Sequence, residues 1–249
     1  MSAASEPLST QNIGEALRQT APLLPRLILA GLLLVVAPEW PLDTASGYLV
    51  QAGMPVWLSG IANVLAKGGL QGLYVGVVAI LLAPRLGLVA AVKPVDRHAG
   101  WIGWIAVVLV AGVLKTLIIS MGLILLVIPG VIANCMLFIV LPVAALERRD
   151  PGEAITRSRE LTRDYRFGIF GVLLVLGIAV TVFGFAGMVG FGGMSGFQEA
   201  RLQPGYSYGY EPLINLVYAT LLAVLQTSFY VRRALRTSAG AQSVAAVFD

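Results

Sequence analysis

The chain has 249 residues and a formal net charge of +4, with 57% hydrophobic and only 12% charged residues. Its mean hydropathy is +0.84, whereas a water-soluble domain carries about 25% charged residues. These values exclude an ordinary soluble globule. Because the basic residues stand at the ends of apolar runs, a membrane surface is a better partner for them than nucleic acid. We therefore expect an all-α, polytopic integral membrane protein that forms one domain over residues 1–249.

Six apolar runs predict six transmembrane helices. They cover residues 23–37, 56–83, 101–127, 131–146, 167–191 and 213–231. The first run is short for a hydrocarbon core that needs about 20 residues, and we expect residues 38–55 to form a loop after it. No small-x-small cleavage site follows that run, so we expect a retained span and not a signal peptide.

A charged amphipathic helix is predicted at residues 150–166, between the fourth and fifth spans. Asp150 is placed to cap it, Pro151 suits its first position, and Glu153 stands where a capping-box acid belongs. Its apolar face is formed by Ala154, Ile155, Ser158, Leu161, Thr162 and Tyr165. Because charged residues cover the opposite face, we expect this helix to lie along a membrane surface.

A second amphipathic helix is predicted at residues 12–24, where Asn12 can cap and Glu15 follows three residues later. The sequence at residues 14–17 echoes that at residues 152–155, and both helices precede an apolar run. Two explanations remain open: a true internal repeat, or two short segments that meet the same physical demand.

The two lysines within the predicted spans are the sharpest polar feature. Lys67 and Lys115 stand about 11 or 12 residues into their spans, which is near the membrane midplane at about 1.5 Å per residue. No Asp or Glu lies in the body of a predicted span, so we expect neither lysine to have an acidic partner. Asn63 and Asn134 are candidates to share a cavity with them. The pattern indicates an anion, lipid-headgroup or translocation site, or else lysines that reach the interface from misplaced span ends.

The positive residues also predict orientation. Of the 17 Lys and Arg residues, Lys67 and Lys115 fall within spans and Arg201 in an outer loop; the others lie on one side if both termini are cytoplasmic. Candidates for binding lipid headgroups are Arg148, Arg149, Arg157, Arg159, Arg163 and Arg166. Each can contribute about 1 kcal/mol near an anionic surface, and ordinary topological anchoring explains them equally well. We expect Glu147 to pair with Arg148 or with a helix arginine.

Glycine and proline patterns predict packing and turns. Gly68, Gly72 and Gly76 form a stripe that lets another helix approach closely. Pro129 and Gly130 predict a tight turn or a kink between the third and fourth spans.

The inventory of reactive side chains argues against an enzyme. His98 is the single histidine and lies in a loop, whereas Cys135, the single cysteine, lies within an apolar run. The sequence therefore offers no His/Cys metal cluster, no Cys–His pair, no nucleophile elbow and no phosphate-binding loop. We expect no catalytic activity, no metal and no cofactor.

The middle of the chain carries a family resemblance. The residues are Ile128-Pro129-Gly130, then Leu141-Pro142 through Leu146-Glu147, then the segment 152–162, which includes Glu153 and Ser158. This segment resembles a family of bacterial six-helix membrane proteins related to the membrane domain fused to some glycerophosphodiester phosphodiesterases. The resemblance implies a multi-pass protein of a bacterial inner (plasma) membrane. The catalytic barrel of the fused enzymes does not carry over, because such a barrel needs about 250 residues of its own.

Two functions are expected from these patterns. The first is a non-enzymatic membrane protein that engages anionic lipids or partner proteins and supports envelope maintenance. Its partners would be membrane lipids and either another membrane protein or a second copy of the chain, not nucleic acid. The alternative is a small transporter or channel for an anionic or amphiphilic solute. We prefer the first because no predicted span carries a carboxylate for coupling to protons or sodium ions.

Overall fold

The computed structural model describes residues 10–88, 100–147, 150–192 and 210–248. These ranges are helical and contain no strand. Six helical stretches are long and apolar enough to cross a membrane, which confirms the predicted helical membrane class and the number of spans. Arg148, Arg149 and His98, which figure in the sequence predictions, lie outside the described residues.

The elements follow one another along the chain with short interruptions. The α-helices are α1 (Thr10–Thr20), α2 (Leu24–Gly31), α3 (Glu39–Gln51), α4 (Val56–Leu82), α5 (Trp101–Leu125), α6 (Val127–Met136), α7 (Val140–Glu147), α8 (Pro151–Thr162), α9 (Arg166–Gly192) and α10 (Glu211–Phe248). Short 3₁₀ helices join α1 to α2 and α8 to α9, and a π-helical segment, Leu32–Val36, follows α2.

The first span is longer than predicted, and the loop expected at residues 38–55 is mostly helix. After the π-helical segment, α3 starts at Glu39 and continues to Gln51. Pro38 immediately precedes α3 and Pro41 lies in its first turn, where the backbone N–H groups have no partner within the helix in any case. The prediction that the helix stops near Ala37 was therefore wrong, because these prolines are at tolerated positions.

The α3–α4 connection is a tight antiparallel hairpin. Gly53 adopts φ +95°, a left-handed conformation that glycine reaches without a Cβ clash. The hydroxyls of Ser46 and Ser59 hydrogen-bond across the hairpin, and Gly31 packs against Tyr74 farther along. The whole stretch from α2 to α3 therefore runs along α4.

The glycine stripe on α4 packs against α5. A Cβ added to Gly68 would meet the Thr116 side chain, and one added to Gly72 would lie 3.0 Å from Gly112 Cα. Gly112 has the converse restriction, since a Cβ there would lie 2.7 Å from the Gly68 carbonyl oxygen. These contacts confirm the predicted close approach at the stripe. We call this contact the α4–α5 seam.

The chain reverses at Leu126 and not at Pro129-Gly130, so the predicted turn was misplaced. Leu126 is in an extended conformation between α5 and α6. Pro129 falls within the first turn of α6, where it breaks no helical hydrogen bond. Gly130 instead allows close packing, because a Cβ on Gly122 would lie 2.8 Å from Gly130 Cα.

The fourth span consists of two helices and not the single helix predicted for residues 131–146. The helical path is interrupted between Met136 and Val140, and Pro142 then lies in the first turn of α7. Every residue of α7 from Val140 to Leu146 is buried. This short helix, packed against α4, α5 and α8, forms part of the core of the bundle.

The charged helix predicted at residues 150–166 is α8, and it begins at Pro151 as predicted. Asp150 precedes it, but its side chain makes no capping hydrogen bond, which corrects that prediction; its backbone carbonyl accepts from Ala154 N instead. The buried residues of α8 are Ala154, Ser158, Leu161 and Thr162. Ser158 Oγ donates to the Met136 carbonyl at 2.8 Å. The apolar face of α8 thus packs against protein, and its position on a membrane surface stays a prediction.

The helices α1 and α8 both contact α10 through adjacent arginines. Arg232 binds Glu15 of α1 at 2.7 Å. Arg233 donates to the Leu161 carbonyl at 3.3 Å and lies over the Tyr165 ring, 4.7 Å from its centroid. The helix α10 continues to Phe248, beyond the predicted end of the sixth span at residue 231. Whether the shared α–3₁₀–α arrangement reflects an internal repeat stays a prediction.

The fifth span lies at the periphery of the bundle. Among the α9 side chains whose burial is described, Ile169 alone is a fully buried apolar residue. A Cβ added to Gly171, Gly177 or Gly184 would meet nothing within 4 Å. Gly171, Gly177 and Gly184 therefore do not serve helix packing within the described chain, in contrast to the glycines on α4, whereas Gly187 is closely approached by the Tyr210 ring.

Candidate functional site

Lys67 has an acidic partner, contrary to the sequence prediction. Its Nζ lies 2.8 Å from Asp43 Oδ1, and Asn63 Nδ2 donates to the same oxygen at 2.7 Å. The prediction failed because Asp43 was assigned to a loop, whereas α3 places it beside α4. With Glu39 and Asn215, these three residues form what we call the acid–lysine cluster.

The acid–lysine cluster connects three helices. Asn215 Nδ2 of α10 donates to Glu39 Oε1 of α3 at 3.0 Å. Farther along the same face of α4, the Tyr74 and Thr220 hydroxyls hydrogen-bond at 2.6 Å. Intramembrane polar groups in helical proteins characteristically pair with one another in this way.

Two cavities adjoin the cluster and share Glu39, Lys67 and Asn215 in their linings. The larger, about 490 Å³, we call the vestibule; it also contains Asp43 and Glu211. The smaller, about 250 Å³, we call the inner cavity. Three carboxylates and one lysine give the vestibule an excess of negative charge. This charge balance disfavours Lys67 as an anion site.

Lys115 lies in a different environment. It lines a cavity of about 200 Å³ between α4, α5, α6, α7 and α10, which we call the Lys115 cavity. The polar residues of its lining are Gln71, Lys115, Thr116, Ser120, Asn134, Tyr218 and Gln226. Over the described ranges, no carboxylate or hydrogen-bond acceptor pairs with Lys115 Nζ. An unpaired ammonium among apolar helices is costly, so this cavity is a candidate site for an anion.

Gln226 adds a second unsatisfied group to the Lys115 cavity. Its side chain is 1% exposed, and Oε1 has no hydrogen-bond partner among the described residues. Asn134 lines the same cavity with an amide that can donate and accept. Together the lining offers a positive charge, several donors and, in Gln226 Oε1, a buried acceptor without a donor among the described residues. Such a set can hold a small anion that also carries a hydroxyl proton.

An apolar groove leads from the Lys115 cavity to the outside of the bundle. The groove has a volume of about 430 Å³ and lies between α6 and α9. Asn134 lines both the groove and the cavity. On α9, the groove is bordered by Leu174, Ile178 and Val182, which are 49%, 55% and 58% exposed. The α6–α9 groove therefore opens on the apolar outer surface of the bundle.

The cavities adjoin one another in series. Gln71 and Tyr218 line both the Lys115 cavity and the inner cavity, and the inner cavity shares three residues with the vestibule. Polar lining thus extends from Asp43 to Asn134. The sequence made Asn63 and Asn134 candidates to share one cavity, but the structure places them beside different lysines. Asn63 binds Asp43, the partner of Lys67, whereas Asn134 lines the Lys115 cavity.

The arginines of α8 and of the segment that follows it differ in their contacts and exposure. Arg157 lies 3.8 Å from Glu147 and 3.4 Å from Glu160, which confirms the expected pairing of Glu147 with a helix arginine. Glu147 also accepts from Tyr230 OH at 3.0 Å. Arg159 and Arg163 are exposed, whereas Arg166 is half-buried. The exposed arginines can contact lipid headgroups, whereas Arg157 is already paired with two carboxylates.

Sequence reasoning missed the carboxylates of α3 and the polar residues of α10. Glu39 and Asp43 are four residues apart and so share one face of a helix. Asn215 and Gln226 are separated by about three helical turns, which also places them on one face. This spacing was visible in the sequence, but it becomes a signal only once both segments are recognised as helix.

No metal site is present in the described part of the chain, where no group of three or more His, Cys, Asp or Glu residues comes together. Cys135 is buried within α6. Comparisons of the chain with family models, curated proteins and solved structures found no match. The resemblance to the phosphodiesterase-associated membrane domains therefore stays a prediction.

Proposed function

We propose that this is a non-enzymatic membrane protein that binds the anionic headgroup of a membrane lipid and thereby supports envelope maintenance. One observation supports this most strongly: Lys115 has no partner among the described residues, and its cavity adjoins the outer apolar surface through Asn134. A cation held away from water is stabilised when a ligand brings the opposite charge. A lipid is the ligand that can reach such a cavity from the side.

The proposal places the principal lipid site within the bundle and not on α8. Arg157 is engaged by Glu147 and Glu160, so its charge is already balanced. Arg159 and Arg163 remain as exposed, secondary contacts with an anionic surface, each contributing about 1 kcal/mol. Exposed charges of this kind lose much of their effect in salt, whereas a half-buried lysine is screened less.

The test is native mass spectrometry of protein extracted gently from its membrane. We expect Lys115→Met to reduce retained anionic lipid about tenfold, equivalent to about 1.4 kcal/mol. Lys115→Arg should keep most of the lipid because the charge remains. Arg159→Gln/Arg163→Gln is the matched surface control. It should reduce only the part of lipid retention that added salt also removes. Equal retention by wild type and Lys115→Met would contradict the proposal.

A second candidate is transport of an anionic or amphiphilic solute. The serial cavities favour it, because Gln71 and Tyr218 border two of them. The argument that no span carries a carboxylate for coupling was also wrong, since Glu39 and Asp43 lie in the first membrane-spanning stretch. Intramembrane carboxylates of this type often mark proton or ion routes.

Liposome flux separates the two candidates. If the protein conducts a solute, reconstituted wild type will dissipate an anion gradient, and Tyr218→Trp will slow the flux by narrowing the passage between two cavities. Tyr48→Trp is the matched control, because Tyr48 is 66% exposed. Absence of flux in every preparation that retains lipid would leave lipid binding as the function.

A further inference from the structure

The Lys115 cavity is large enough for a phosphate headgroup. Its volume is about 200 Å³, somewhat larger than a cavity of about 150 Å³ that holds one benzene molecule. A phosphate group with a few water molecules fits this space.

The unpartnered oxygen of Gln226 discriminates among small anions. Oε1 is an acceptor, and it has no donor among the residues that the structure describes. An ionised carboxylate or phosphodiester group itself carries no proton that it could donate to this oxygen. A phosphate monoester in its singly ionised form has both a charged oxygen for Lys115 and a P–OH group that can donate to Gln226. A low-dielectric site favours that form, because a second charge is costly to bury.

The α6–α9 groove provides a place for an acyl chain next to this headgroup site. Apart from Asn134 and Thr181, its lining is apolar or glycine, from Val131 on α6 to Val182 on α9. Its volume of about 430 Å³ lies within the range of sites that enclose small organic ligands. Because Asn134 borders both spaces, a headgroup at Lys115 and a chain in the groove can belong to one molecule.

We infer that the ligand is a phosphatidate-type lipid, whose phosphate monoester lies between Lys115 and Gln226 while one acyl chain lies in the α6–α9 groove. This inference rests on the proposed function of Lys115 and adds the headgroup chemistry and the chain site. Lys115 supplies the charge, Gln226 supplies the acceptor, and the apolar groove favours a ligand with an acyl chain over a soluble phosphate, which lacks one.

Gly177 allows a direct test of the chain site. It lines the groove, and a Cβ there meets nothing within 4 Å, so we expect the leucine of Gly177→Leu to occupy part of the groove. Gly184 is equally open and is absent from the groove lining, which makes Gly184→Leu its matched control. Full-length protein in detergent is mixed with phosphatidate, phosphatidylglycerol or palmitate, and bound lipid is measured by native mass spectrometry.

We expect wild type to retain phosphatidate about tenfold more than either other lipid. Gly177→Leu should reduce phosphatidate retention about tenfold, because a leucine side chain displaces part of the acyl chain, and Gly184→Leu should leave it unchanged. Gln226→Leu should abolish the preference for phosphatidate over phosphatidylglycerol. A thermal unfolding curve for each variant separates a lost site from a lost fold.

The outcomes distinguish this inference from the proposed function. If Lys115→Met leaves all lipid retention unchanged, the proposed function itself is wrong. If Lys115→Met weakens all anionic lipids equally and Gly177→Leu behaves like Gly184→Leu, the proposed function stands and the phosphatidate inference is overturned. The same holds if wild type shows no preference for phosphatidate, whatever happens to the folding of Gln226→Leu.

Discussion

Lys67 and Lys115 occupy equivalent places beside the α4–α5 seam, yet their surroundings differ completely. Each directly precedes a residue of the Gly68–Thr116 contact. Lys67 pairs with Asp43 at 2.8 Å, within a cluster that connects α3, α4 and α10. Lys115 enters a cavity where the described residues offer it no counter-ion. One lysine therefore has its anion within the fold, whereas under the proposed function the other takes one from a ligand.

We expect this difference to separate a structural charge from a ligand-binding charge. The Lys67–Asp43 pair joins α3 to α4, so we expect its effect to be on stability. Lys115 and the unsatisfied Gln226 oxygen line one cavity, so under the proposed function their effect is on binding. Depth in the span alone does not distinguish the two lysines.

The largest expected effect comes from forcing the seam apart, which would disrupt both lysine environments at once. In Gly112→Leu, the new Cβ lies 2.7 Å from the Gly68 carbonyl oxygen and 3.2 Å from Gly72 Cα. Because backbone atoms are in the way, relief requires the helices to separate. We expect a loss of about 3 kcal/mol in the free energy of unfolding, measured by thermal unfolding in detergent. Gly184→Leu is the control. If both variants unfold like the wild type, close packing at the α4–α5 seam does not contribute to stability.

Giving Lys115 a partner within the protein should remove the difference between the two lysines. Asn134→Asp introduces a carboxylate into the lining of the Lys115 cavity, where it can pair with the lysine and repel an anionic headgroup. We expect anionic lipid retention to fall about tenfold, or about 1.4 kcal/mol, in native mass spectra. Asn63→Asp, which places the same change in the acid–lysine cluster, should leave retention unaltered. Undiminished binding in Asn134→Asp would show that the headgroup lies elsewhere.

The smallest expected effect comes from removing the partner of Lys67. Asp43→Asn should cost about 1 kcal/mol of stability, since the side chains of Lys67 and Asp43 are 38% and 56% exposed. Asp43→Glu keeps the charge and is the control. If Asp43→Asn lowers stability no more than Asp43→Glu, the pair has no structural role.

Hydropathy was sufficient to predict the spans, because a bilayer demands long apolar runs whatever else the chain does. The same criterion failed at Pro38-Glu39, where charge and proline looked like the end of a helix. The helix α3 persists there because Pro41 lies in its first turn and Asn215 compensates Glu39. A hydropathy criterion treats a carboxylate as the end of a span, whereas in the folded protein the carboxylate can have a hydrogen-bond partner on another helix.

The candidate site was predictable only in part. Lys115 and Asn134 stood out as polar residues within apolar runs, and the structure brings them to one cavity. Gln226 and Tyr218 did not stand out, because their role depends on how α10 is rotated against α4 and α5. The α6–α9 groove had no signal, since it results from the loose packing of α9 and not from any residue type.

The Leu126 reversal constrains how the chain enters the bilayer during synthesis. No polar side chain occurs from Met121 to Ala133, and the turn satisfies its own backbone, with Leu126 N bonded to Gly122 O at 3.0 Å. No side chain of this segment therefore favours a position in water. A membrane tolerates the turn because few of its backbone groups are left unpaired. We expect α5 to partition into the bilayer together with α6 and α7 as one helical hairpin. The third span would then be stably inserted only after the fourth span has emerged from the ribosome.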